Sequence, residues 1–181
     1  DDIRVRKAAN MGIDRVAGVN VLDEGDGDLG GLMPPTGQWA FPKDELLTRP
    51  GYRPDKAAEL AEAKKLLAEA GFPDGFRTPL LVRSSSENQN LGVFVQAQLE
   101  TVGIKATISI EEVAAFTNSM ERRAFATATW AHAASLDDPD QIFGEHYISG
   151  GGRNYQSISN PKVDELFVKQ SRTLDVAERK K

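Results

Sequence analysis

Asp137-Asp138-Pro139-Asp140 packs three carboxylates into one short run. Such a run can neutralise a cation or an amine. The same pattern also writes a helix entry, with Asp138 as N-cap, Pro139 at the first helical position and Asp140 in the first turn. The helix-start rules favour the second reading. His132 and His146 stand apart in the chain, with no third ligand at metal spacing. No metal and no cofactor is read from them. Arg83-Ser84-Ser85-Ser86-Glu87 offers a guanidinium that can clamp a carboxylate in bidentate fashion. Its serines can equally be plain helix caps, and both readings stay open. Trp39 and Trp130 are aromatic anchors whose ordinary role is core packing; Trp130, at a strand end, is read as a pocket wall. Glu111 and Glu112 read as a cap of the following helix. Gly150-Gly151-Gly152 precedes Arg153 rather than a Lys-Ser pair, so it is a hinge or turn and not a phosphate loop. There is no G-x-S-x-G and no nucleophile with an evident base, so the chain is read as no enzyme.

The elements that position these residues come from periodicity. Residues 2–17 predict one amphipathic helix on Ile3, Val5, Ala8, Ala9, Ile13 and Val16. Residues 18–53, rich in Gly, Pro and Asp, predict a long irregular segment with a short helical turn at 43–47. Asp55 caps a helix that runs to Ala70 and stops at Gly71. Then follow a strand at 78–83, a helix at 89–102, a strand at 104–110, a helix at 111–123 and a strand at 125–130. The fold class is α/β, a parallel βαβαβ sheet with flanking helices. Residues 54–130 are the core and its preceding helix, and 131–181 the strand-end loop and C-terminal helix. Ligands of open parallel sheets sit beyond the carboxyl ends of strands. Here those ends are Val82–Asn88, Ile110–Glu112 and Trp130–Asp138.

Composition bounds the partners. A net charge of −5 over 181 residues argues against a nucleic-acid surface. Without cysteine there is no disulfide or thiolate chemistry. No run approaches the roughly 20 apolar residues that span a bilayer. The helical spacing after Val163 runs to Lys181 without a stop signal, so the chain reads as an excised piece of a larger protein.

Five stretches, in order, carry a resemblance. They are Asp2-Ile3-Arg4-Val5-Arg6-Lys7-Ala8 with Gly12-Ile13-Asp14-Arg15, and Asp55-Lys56-Ala57 with the run from Ala63 to Phe76. Next come Gln96-Ala97-Gln98-Leu99-Glu100-Thr101-Val102-Gly103-Ile104, and Trp130 with Asp138-Pro139-Asp140. The last is Asn154-Tyr155 with Asn160-Pro161-Lys162-Val163-Asp164-Glu165-Leu166. The ordered set resembles the extracellular solute-binding proteins of peptide/nickel-type ABC importers, solute-binding family 5. The resemblance implies that residues 1–181 are a single lobe, the carboxyl-terminal one, of a type II periplasmic-binding-protein fold. It implies capture of a peptide or other small solute in a cleft between two lobes. The implied partners are the first lobe of the same protein and ABC permease subunits. The implied place is the periplasm or cell exterior, with a lipid anchor as an option. In peptide-binding members an Asp four residues before the Pro pairs with the peptide amino group. That position is Ser135 here, so a neutral, hydroxyl-rich or zwitterionic ligand is as tenable as a peptide. The expected ligand-binding residues are Trp130, Ser135, Asp137 and Arg83, followed by His132 and Asn154. The rival readings are an interaction module without a small ligand and a small α/β hydrolase.

Overall fold

The computed structural model describes residues 2–131 and 136–180. They fall into two compact units. The first lies within Asp1–Leu29, Pro42–Asn118 and Phe125–Ala131, the second within Gly30–Phe41, Ser119–Ala124 and His132–Lys181.

The first unit opens with α1 (Ile3–Gly12) and α2 (Arg15–Leu22). One continuous helix over 2–17 is therefore corrected to two. The cause is Asp14, whose carboxylate accepts from the Ala17 amide at 3.0 Å and caps a new helix. An Asp side chain that takes up a backbone donor competes with the i→i−4 ladder. The segment that follows contains only α3 (Lys43–Leu46). It is anchored by Glu59, which is fully buried and accepts from Gly51 N and Lys56 Nζ, both at 2.5 Å. A buried carboxylate needs such partners, because taking its charge out of water unpaired costs several kcal/mol. Arg15 supports the same turn by donating to Gly51 O at 2.8 Å and covering the Tyr52 ring.

Helix α4 (Lys56–Glu69) starts at its Asp55 cap and ends in a Schellman turn. Phe72 N bonds Leu67 O at 2.8 Å and Gly71 N bonds Ala68 O at 3.0 Å. Gly71 sits at φ +93°, in the left-handed region where a side chain is strained.

The sheet is β1 (Phe76–Arg83), β2 (Ile104–Glu111) and β3 (Thr127–Thr129), ordered β2-β1-β3 and parallel throughout. Helix α5 (Ser86–Glu100) joins β1 to β2, and α6 (Val113–Glu121) joins β2 to β3. The apolar run of β1 buries Leu80 and Val82 completely, against Leu99, Val102, Ile104 and Ala106 and the α1 and α4 residues Ala8, Met11, Ala63 and Leu67. Gly92 lets α5 settle on the strand, since a Cβ there would stand 2.7 Å from Val82 Cγ2.

The second unit holds α7 (Pro139–His146), α8 (Pro161–Ser171), α9 (Val176–Arg179) and the segment 30–41. The helical spacing after Val163 thus resolves into two helices, the second capped by Asp175 on Glu178 N at 2.9 Å. Asp138 caps α7 on Asp140 N at 3.0 Å, with Pro139 in the first turn, which is the helix-entry pattern.

Candidate functional site

The strand order reverses at β1, so the carboxyl ends of β1 and β3 flank the topological switch point of the sheet. Open α/β sheets place ligands there. Register sets Arg83 opposite Glu111, and Val82 opposite Thr129, so Trp130 is the next residue along β3 from the Val82 pairing. Arg83 and Trp130 are both half-buried.

The turn after β1 is built from its own polar groups. Ser84 N continues the ladder to Glu111 O at 2.9 Å, and Ser84 Oγ donates to Glu112 at 3.1 Å. Gln89 Nε2 donates back to Ser84 O at 2.8 Å. Asn88, only 7% exposed, spans the switch point. Its Nδ2 donates to Ser85 Oγ at 2.7 Å, and its Oδ1 accepts from Ala131 N at 3.4 Å.

Two buried polar atoms here, Arg83 Nε and Thr129 Oγ1, have no hydrogen-bond partner among the described residues. Leaving such an atom unsatisfied costs about 1–3 kcal/mol. An ordered water, an ion or a group from outside the chain can satisfy such an atom. Sequence reasoning singled out Arg83 and passed over Asn88 and Thr129. The signals for them were an amide in the first turn of α5 and a hydroxyl pair, Thr127 and Thr129, in a core strand.

In the second unit, Asp137 is exposed and accepts from Gln38 N at 2.9 Å, with Gly37 so close that a Cβ there would collide with the carboxylate. Asp138 receives Arg179 in a bidentate pair at 3.0 and 2.9 Å. Arg179 also covers the Trp39 ring, 4.6 Å from its centroid. That guanidinium holds the Asp138 carboxyl below the usual range. Asn154, 5% exposed, donates Nδ2 to Ile148 O and Ile158 O and accepts from Ile158 N. Its amide closes the 148–158 loop. His132 and Ser135 lie outside the described residues. Of the six expected residues, then, Arg83 and Trp130 share the strand ends of the first unit, while Asp137 and Asn154 belong to the second.

Residues 1–154 match the family model of bacterial extracellular solute-binding proteins, family 5, middle region. The chain belongs to this family. Among family 5 relatives, the heme-binding protein A of Haemophilus influenzae is 27% identical over 92% of this chain and 30% of its own length. The ABC transporter-associated periplasmic binding protein DppA of Helicobacter pylori, solved with the peptide STSA, superposes with a TM-score of 0.78 at 25% identity. That match covers 98% of this chain and 34% of DppA. The Escherichia coli murein tripeptide binding protein MppA shares the fold, with a TM-score of 0.83 at 23% identity over 99% of this chain and 35% of MppA. The chain thus spans about a third of the length of the relatives it matches. Members of family 5 are binding proteins rather than enzymes. Among the described residues no helix is long and apolar enough to cross a membrane.

Proposed function

We propose that this chain supplies one wall of the solute site of a longer family 5 binding protein, and that the whole protein captures a small solute outside the membrane and hands it to an ABC permease without chemical change. The observation that carries this reading is the pair of unpartnered buried polar atoms, Arg83 Nε and Thr129 Oγ1, at the ends of adjacent strands of the switch point. A donor and a hydroxyl waiting at a strand-end crevice suit a ligand that brings acceptors with it. Arg83 takes a carboxylate or another acceptor, and Trp130 provides a flat apolar surface beside it.

His132 and Ser135 come shortly after Trp130 in the chain and belong to the proposed contact set. Asp137 and Asn154, which belong to the second unit, remain candidates on the sequence alone. The absent walls come from the rest of the protein, the first lobe above all. One wall is not enough for tight capture, since nanomolar affinity requires about 12 kcal/mol. The proposed location is the periplasm or the cell exterior, free or lipid-anchored.

The test uses the full-length protein, purified from its native host and denatured, with released small molecules identified by mass spectrometry. A stoichiometric peptide, opine or sugar supports solute capture and names the class. An empty protein that also shows no thermal shift across a library of peptides, sugars and opines contradicts it, and favours the interaction-module reading.

A further inference from the structure

Ser85 is the N-cap residue of α5, yet its side chain caps no backbone amide. A Ser N-cap ordinarily accepts from the N–H of the second or third helical residue, and losing that bond costs about 1 kcal/mol. Here the hydroxyl accepts instead from the side-chain amide of Asn88, the third residue of the helix, at 2.7 Å. The same amide group, in a residue 7% exposed, turns its oxygen to Ala131 N across the switch point. The usual bond of a Ser N-cap is therefore given up here, and what is gained is a fixed orientation for a buried amide. Departures of this kind concentrate at functional sites.

We infer that Asn88 is the positioning residue of these strand ends: it ties the chain leaving β3 to the β1–α5 turn and so holds Trp130 and Ala131 at a set distance from Arg83. It acts through Ser85 and the Ala131 backbone and does not itself touch solute. Asn suits the position because one short side chain carries a donor and an acceptor pointing apart. A leucine of similar size offers neither. An aspartate keeps the acceptor for Ala131, and the Ser85 hydroxyl can rotate to donate to its other oxygen. This inference rests on the reading of the strand ends as a solute site, and its test separates the two.

The test is amide hydrogen exchange on the full-length protein, read without added solute, in Asn88→Leu and Asn88→Asp. In the leucine variant the Ala131 amide is expected to exchange about tenfold faster while Leu80 and Val82 of β1 keep their protection, a local opening rather than a global one. The aspartate variant is expected to restore protection at Ala131. An unchanged Ala131 amide in the leucine variant overturns the inference. So does a parallel loss of protection in β1, which marks a plain stability role, and so does failure of the aspartate variant to restore Ala131. Co-purified solute is weighed separately by mass spectrometry. The leucine variant is expected to release several-fold less per mole than the parent, and an equal release also overturns the inference. A parent that carries no solute contradicts the solute reading alone, and the positioning role then stands or falls on Ala131 exchange.

Discussion

Thr129 Oγ1 is buried without a partner among the described residues, in a residue 7% exposed. Replacing an unsatisfied group by an apolar one of the same shape is neutral or stabilising. Thr129→Val is therefore expected to raise the unfolding free energy by up to about 1–3 kcal/mol in urea denaturation, and to lower the amount of co-purified solute. A variant that is destabilised places a partner on that hydroxyl within the fold. Asp138 poses a different question. Arg179 depresses its carboxyl pKa in the folded state. A depressed carboxyl adds stability above its unfolded value, near 3.9, and loses it as pH falls through the folded value. Asp138→Asn keeps an N-cap acceptor for α7 but drops the charge. Its thermal midpoint is expected to lie below that of the parent at pH 7 and to converge with it below about pH 4. The gap is modest, because the Asp138 side chain is 37% exposed and solvent screens the pair. At this scale the sequence was legible where a residue obeys a local rule. Asp138 as N-cap followed from its neighbours Pro139 and Asp140. Its bidentate pair with Arg179 did not, because the two stand far apart in the chain and only packing brings them together.

The βαβαβ order was legible because α5 and the strands each keep one clean period. The alternation of Ile104, Ala106, Ile108 and Ile110 reads directly as β2. Helix ends were less legible where a side chain competes with the backbone. Asp14 divides the opening helix in two, and Asp175 does the same in the last. Both residues look ordinary within an apolar stripe, and only their capping geometry shows the break. β3 shrinks from the expected 125–130 to Thr127–Thr129, as its pairing with β1 covers only Leu80 to Val82. Asn88 was hidden for a related reason: its partner Ala131 is remote in sequence, and an Asn in a first turn is unremarkable by itself. The seating of α5 gives this scale its test. Gly92→Ala puts a Cβ 2.7 Å from Val82 Cγ2, so the helix must lift from β1. The expected cost is about 1–3 kcal/mol of overpacking, measured by chemical denaturation. A gain in stability, as helix propensity alone would give, contradicts the close seating of α5.

For the whole molecule, the family match supports the proposal that the strand ends form one wall of a solute site. The chain spans about a third of the relatives' length, and the proposed contacts from the remaining lobe lie beyond it. Family members of this fold are solved with ligands as different as a peptide in DppA, while heme-binding protein A is named for heme. The residues proposed to set ligand choice in this chain are Arg83 and Trp130 at the strand ends, with His132, Ser135 and Asp137 as candidates from the sequence. The most direct measurement compares amide hydrogen exchange of the full-length protein as purified, solute in place, with the same protein after unfolding, dialysis and refolding. Solute is expected to slow exchange at Ser84–Asn88 and at Trp130–Ala131, with the α4 and α8 amides unchanged. Identical exchange at those strand ends with and without a co-purified solute would contradict the account.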